Sequence, residues 1–189
     1  MDKTQTTAAV VIPPESVWEP IQAIRRTWDR GVRRWMPHVT LVYPFRPHEE
    51  FDALAAGLCA ACAAVEPFDV TLARFGWFDH GGESYTTWLA PEPAEPLARL
   101  QEAVWHVAPD CDDVRRFDGG YAPHLSVGQV RGRRAMEERI ERLQNGWRPP
   151  AFRVDAVSLI WRGEPPDDVF RVGRTVPLGG ALEGRRRGQ

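Results

Sequence analysis

The sequence predicts an α+β fold: two pseudo-symmetric lobes of antiparallel strands with flanking helices around a central cleft. Three observations predict it. Short apolar strand patterns alternate with helix patterns along nearly the whole chain. A unit of strand, helix and hairpin occurs twice. Each unit opens on a matching tetrapeptide, Pro37-His38-Val39-Thr40 and Pro123-His124-Leu125-Ser126. Clustered antiparallel hairpins accompanied by helices define the α+β class.

The elements follow in order. Residues 7–12 form a short apolar strand stopped by Pro13-Pro14. A helix covers 15–29, with Val17, Ile21 and Ile24 on one face, and ends at Gly31. Residues 37–45 are the first motif strand. Pro47 and the acidic His48-Glu49-Glu50 open a helix that runs to about Val65. Residues 68–78 alternate Phe68, Val70 and Leu72 against Asp69, Thr71 and Ala73; a turn at 79–83 leads to the partner strand at 84–90. Leu97, Leu100 and Val104 give the helix at 93–107 its apolar face, and 110–120 is a polar loop. The second motif strand is 121–130. A charged helix at 132–145 stops at Gly146, and 152–161 alternates as a single strand. A turn at 163–168, stiffened by Pro165-Pro166, precedes the last strand at 169–178. With the two units read consecutively, each motif strand is expected to start its own lobe. Residues 1–183 then form one two-lobed domain, and 184–189 a flexible basic tail.

Composition narrows the function. The chain has 189 residues, 43% apolar and 26% charged, in the range of an ordinary globular protein. A net charge of -2 excludes a global basic field for nonspecific nucleic-acid binding. All 24 basic residues except Lys3 are arginine, a bias that runs over the whole chain and points to coding composition rather than to a site. No apolar run approaches a membrane span and no leader pattern precedes residue 7, so a cytoplasmic monomer without membrane contact is expected. Cys59 and Cys62 have a redox-like spacing but sit inside an alanine-rich helix rather than at its start, and read as buried free thiols.

The two tetrapeptides carry the chemistry. In a strand, residues i and i+2 share a face. Each copy therefore points an imidazole and a hydroxyl one way, while Val39 or Leu125 points into a core. The bare pattern His-x-Ser/Thr is weak; the shared proline and apolar flanks make it selective, and His48, His80 and His106 do not repeat it. An unperturbed imidazole titrates near pKa ~6.5, so neutral and protonated forms are both accessible. One imidazole can take a proton from water and the other can give one to a leaving ribose oxygen. Thr40 and Ser126 can donate to nonbridging phosphate oxygens. Tyr121 and Tyr43 are the candidates for stacking on a base or ribose, with Tyr85 or Trp88 behind them. Arg33 and Arg34, just before the first motif, read as a solvated turn.

With these motifs the chain resembles the 2H phosphoesterase superfamily, in particular the 2′-5′ RNA ligase/cyclic phosphodiesterase family, from about residue 7 to residue 178. That family carries two His-x-Thr/Ser motifs on strands of two symmetric lobes, here His38-Val39-Thr40 and His124-Leu125-Ser126. The segment Leu41-Val42-Tyr43-Pro44-Phe45 departs from the Phe-Leu-Gly type ending of well-known bacterial members and marks a divergent branch. The resemblance implies a duplicated 2H fold and a cofactor-free, metal-independent phosphoesterase. It implies action on 2′,3′-cyclic phosphates or 2′-5′ bonds of RNA ends or nucleotides, with His124 as base and His38 as acid in hydrolysis. The sequence itself leaves the two histidines equivalent. Two other readings stay open. One is a nucleotide or RNA-end binding module without turnover. The other is a metal hydrolase using both histidines and a carboxylate such as Asp118, although the histidines lack the short spacing of common metal helices.

Overall fold

The fold is taken from a computed structural model, which describes residues 2–116 and 119–180. Asp118 and the basic tail at 184–189 lie outside the described residues. Among the described residues, eight strands and four helices follow one another as β1 (Thr7–Val11), α1 (Trp18–Trp28), β2 (Val39–Val42), α2 (Phe51–Ala63), β3 (Phe68–Asp79), β4 (Ser84–Glu92), α3 (Glu95–Trp105), β5 (Leu125–Arg131), α4 (Arg133–Gly146), β6 (Ala151–Val154), β7 (Ala156–Trp161) and β8 (Arg171–Pro177). Single 3-10 turns precede α1 and α2, and another breaks the 110–120 loop at Asp113–Arg115.

The strands form two four-stranded antiparallel sheets, in the orders β2-β1-β7-β8 and β5-β4-β3-β6. This bears out the α+β class and the two lobes, but not consecutive lobes. The first motif strand, β2, shares its sheet with the second hairpin, β7-β8. The second motif strand, β5, pairs with the first hairpin, β3-β4. Each lobe is thus built from both copies. The helices cross over in the same way: α1 precedes β2 but packs on β5, and α3 precedes β5 but packs on β2.

A second correction concerns 152–161, which is two strands. β6 pairs with β3 in one sheet, and β7 pairs with β1 in the other. The chain changes sheets at Asp155, whose carbonyl accepts the Leu178 N–H at 2.8 Å. The alternation shows why. Phe152 and Val154 are buried, and the next strongly buried alternating pair is Val157 and Leu159, so the period slips by one residue at the crossing.

One continuous core joins both sheets to the helices. It includes Val39 and Leu41 of β2, Leu125 and Val127 of β5, Ile21 of α1, Leu58 of α2 and Leu100 of α3. The apolar faces predicted for α1 and α3 are the ones buried there. On α2, Cys62 is buried and its thiol pKa is pushed up to about 11 by burial. Cys59 is exposed rather than buried, because it lies about a quarter-turn round the helix from Leu58, just off the face that Phe51, Leu58 and Cys62 bury. Contact between α1 and β5 requires a glycine: a Cβ on Gly128 would lie 2.5 Å from Trp28 Cβ and 2.8 Å from the Trp28 carbonyl oxygen. Among the described residues no helix is long and apolar enough to cross a membrane.

Candidate active site

Each motif strand lies at the edge of its sheet, and the two edges meet. The bond that joins them is specific. Tyr121, three residues before His124, donates its hydroxyl to the carbonyl of Thr40 at 2.8 Å. An edge strand has unpaired backbone groups on its outer side; here one of them is satisfied by the other lobe.

The two copies share their local geometry. Val39 and Leu125 are fully buried while the histidine and hydroxyl on either side are half-buried, as strand alternation requires. Each strand then bulges directly after its hydroxyl residue. On β2, Val10 pairs with Thr40 and Ala9 with Val42, so Leu41 is the extra residue. On β5, Trp88 pairs with Ser126 and Thr87 with Gly128, so Val127 is extra. A bulge restarts the alternation. It lets Leu41 and Val42 both enter the main core and returns Tyr43 to the face of Ala8, Val10, Ile160 and Phe170.

The imidazoles are oriented alike. His38 Nδ1 lies 2.8 Å from the Met36 carbonyl, and His124 Nδ1 lies 2.8 Å from the Ala122 carbonyl. A carbonyl can only accept, so Nδ1 carries the proton in both rings and Nε2 is left to exchange one. Trp35 stacks on His38 with centroids 4.8 Å apart, and Phe78 meets His124 edge-on at 4.7 Å with Trp88 behind at 6.2 Å. A Cβ on Gly76 would lie 2.4 Å from the Trp88 ring, so this glycine makes room for that indole. Beneath the first motif, buried Arg25 pairs with Asp29 at 2.8 Å and donates to the Trp35 carbonyl at 2.9 Å.

The electrostatics favour neutral rings in the free protein. Burial is the main cause that pushes His38 down to about 4; the charges of Arg25 and His124 add to it, while the bond to Met36 and the charge of Asp29 oppose it. Burial also lowers His124, opposed by its bond to Ala122. The two rings are close enough for the charge on His124 to act on His38.

The structure therefore brings His38, Thr40, His124 and Ser126 to one seam. Tyr121 stands at the seam as its stitch, with its hydroxyl committed and its phenol pKa pushed up by burial. Tyr43 donates to the Gln5 carbonyl at 3.2 Å and meets Trp35 edge-on. Trp88 flanks His124, whereas Tyr85 is buried away from it with Val130 and Met136. Trp35, Phe78 and the Arg25–Asp29 pair were not anticipated from sequence. Trp35 had a signal: it occupies the place before His38 that Tyr121 occupies before His124. None of the four motif residues lines the cavity of about 370 Å³ beside Thr4, His48, Trp161 and Arg162. Among the described residues no three His, Cys, Asp or Glu side chains converge as a metal site.

Two crossed lobes that each offer a histidine and a hydroxyl at a shared edge define the 2H phosphoesterase class. The chain belongs to the 2′-5′ RNA ligase superfamily, whose family model matches residues 13–166. It is 26% identical over 125 residues to a protein of Geobacillus kaustophilus (strain HTA426) named "Putative phosphoesterase GK0864"; the match covers 64% of this chain and 66% of that protein. In fold it is similar to TT0787 of Thermus thermophilus, with TM-score 0.63 and 20% identity over 92% of this chain and 98% of that one. It is also similar to E. coli LigT solved with phosphate, with TM-score 0.57 and 15% identity over 94% and 99% of the two chains. E. coli LigT has also been solved with 3′-AMP, at the same TM-score, identity and coverage.

Proposed function

We propose that this protein is a metal-independent phosphodiesterase acting on 2′,3′-cyclic phosphates or 2′-5′ bonds of RNA ends or nucleotides, with His38 and His124 as its acid and base. The observation that carries this reading is the matched pair of imidazoles, each with Nδ1 tied to a carbonyl and Nε2 left to exchange a proton. In hydrolysis of a cyclic phosphate, water attacks phosphorus and gives its proton to the Nε2 of one neutral ring. The bond from phosphorus to one ribose oxygen breaks, and the other ring, protonated at Nε2, gives that oxygen its proton. Thr40 and Ser126 donate to the nonbridging oxygens as charge builds there.

Both rings are depressed in the free protein, so the acid must be charged with the substrate in place. A bound phosphate supplies the opposite charge that raises an imidazole. His124 is taken as base and His38 as acid, on family resemblance. The titrations of site-specifically labelled rings with a substrate analogue bound test that assignment: His38 should be the ring that protonates.

Turnover of a 2′,3′-cyclic nucleotide by the wild type, His38→Ala and His124→Ala tests the function. Each variant should lose at least about a thousandfold in kcat while keeping its circular dichroism, given the ~10²–10⁴ typical of one acid or base and the pairing of two. Retained turnover in both would remove the mechanism. Binding without turnover in the wild type would favour the binding-module reading. Excess EDTA should leave the rate unchanged.

A further inference from the structure

Two cationic side chains converge beside Tyr43, on the His38 side of the seam, and the acid–base steps above make no use of them. Phe170 organises the cluster. Its backbone N–H donates to the Arg34 carbonyl at 2.8 Å, its ring stacks on Trp35 at 3.7 Å, and the Arg162 guanidinium lies 5.7 Å from its ring centroid. Tyr43 meets Trp35 edge-on at 5.6 Å. The positive charges of Arg162 and Arg34 both act on the Tyr43 phenol, against the upward push of burial. Since His38 stacks on the same Trp35, the cluster stands one aromatic ring away from the first motif histidine.

These charges are only partly neutralised. Buried Asp168 bonds Arg33 at 2.6 Å and lies 3.9 Å from Arg34 Nε. Arg162 donates to the Gly163 carbonyl at 3.0 Å, and among the described residues no carboxylate pairs with it. Arg162 also lines the cavity of about 370 Å³, next to the hydroxyl-bearing Thr4 and Thr6, so it borders open space with polar groups at hand. A local excess of guanidinium charge in a chain of net charge -2 needs a reason. Ring stacking on this side is already taken up within the protein, because Trp35 stacks on both His38 and Phe170. What remains to meet a ligand is charge, and guanidinium groups suit phosphate oxygens.

We propose that Arg34 and Arg162 form a subsite for a second phosphate of the substrate, so that the preferred substrate is a cyclic phosphate on a nucleotide bearing a further phosphate, not a nucleoside cyclic phosphate. This rests on the phosphodiesterase reading of the histidine pair and adds a substrate class to it. The further phosphate is either a 5′ monoester or the diester that continues an RNA strand. Both carry the charge the two arginines read.

Three substrates test it: adenosine 2′,3′-cyclic phosphate, the same compound with a 5′-phosphate, and a dinucleotide ending in the cyclic phosphate. Wild-type kcat/KM should be at least about tenfold higher for one or both phosphate-bearing substrates, and should fall more steeply with salt for them. The 5′-phosphate and dinucleotide arms tell the monoester from the diester. R34Q and R162Q should each lose about tenfold on the phosphate-bearing substrates, mostly in KM, and less than threefold on adenosine 2′,3′-cyclic phosphate. Arg34 is the more exposed of the two, so R34Q guards against a folding defect in R162Q. Equal kcat/KM for all three substrates, or equal losses on all three in the variants, would overturn the subsite. Calorimetric binding of the three compounds to the His38→Ala/His124→Ala protein separates the two ideas. If turnover fails but the phosphate-bearing compounds still bind at least tenfold tighter through Arg34 and Arg162, the subsite stands and the catalytic reading falls. If binding is equal, the subsite falls too.

Discussion

The hydroxyl of Tyr121 is bonded to the carbonyl of Thr40, a residue of the other motif, at 2.8 Å. Each of these two residues lies within three positions of a motif histidine; Thr40 is in β2 and Tyr121 leads into β5, and those two strands belong to different sheets. The bond therefore bears on the spacing of the two imidazoles as well as on stability.

Tyr121→Phe should cost about 1 kcal/mol of unfolding free energy, the usual worth of one such bond. Its kcat on a cyclic nucleotide should fall further than KM changes, because misplacement of acid relative to base acts on the chemical step. Urea unfolding and steady-state kinetics measure the two effects separately. An unchanged kcat beside a lowered urea midpoint would make the bond purely structural.

The pH dependence follows from the depressed histidines. The proposed acid–base mechanism needs one ring charged and one neutral. In the free protein His38 protonates only near pH 4, and His124 also below its ordinary value. The profile of kcat/KM, which reports the free enzyme, should therefore peak on the acid side of pH ~6.5 and decline towards neutrality. The profile of kcat, which reports the complex, should be displaced to higher pH, since bound phosphate raises the acid. Stability has its own window. A ring with a lower pKa folded than unfolded makes the native state lose stability as pH falls from about 6.5 towards 4. His38→Gln should flatten that loss in urea titrations at pH 4.5 and pH 7.

Thr40→Val and Ser126→Ala remove one donor each. Either should lower kcat by about 10²-fold, in line with the loss of a donor to transition-state charge, with KM less affected. The double variant should show whether the two act on the same phosphate: losses that are far from additive in free energy indicate one shared group.

Gly128→Ala places a methyl 2.5 Å from Trp28 Cβ and 2.8 Å from its carbonyl oxygen, where backbone must yield. An overpacking cost of about 1–3 kcal/mol is expected. Activity should fall as well, because Gly128 follows the Val127 bulge that sets Ser126 on the site face. A thermal melt and a kcat measurement on the same preparation check both parts.

Much of this was legible in the residues. The alternation at 68–78 and the helical faces of Ile21 and of Leu97-Leu100-Val104 led directly to β3, α1 and α3, because local periodicity reflects which side is buried. The pairing of sheets was not legible, since β2 and β5 read alike and nothing local says whether a motif strand joins its own hairpin or the other one. The slip at Asp155 was visible in the parity of Phe152, Val154, Val157 and Leu159, but the apolar Ala156 and Ile160 continue the earlier parity and masked it. At the site, the order Pro-His-x-Thr/Ser showed the four polar groups, while the partners of their rings come from distant segments. Trp35 acts on a neighbour in sequence, but Phe78 reaches His124 from another strand.

The crossed lobes also bear on how the site comes into being during synthesis. β1 pairs with β2 on one side and with β7 on the other. A nascent chain emerged as far as Gly146 already holds both motif strands, yet β1 still lacks its inner neighbour and the first sheet stands open. The histidine pair then waits on the last fifth of the chain. Closure between such distant segments is slow in folding, so the competent site arrives late and all at once rather than lobe by lobe.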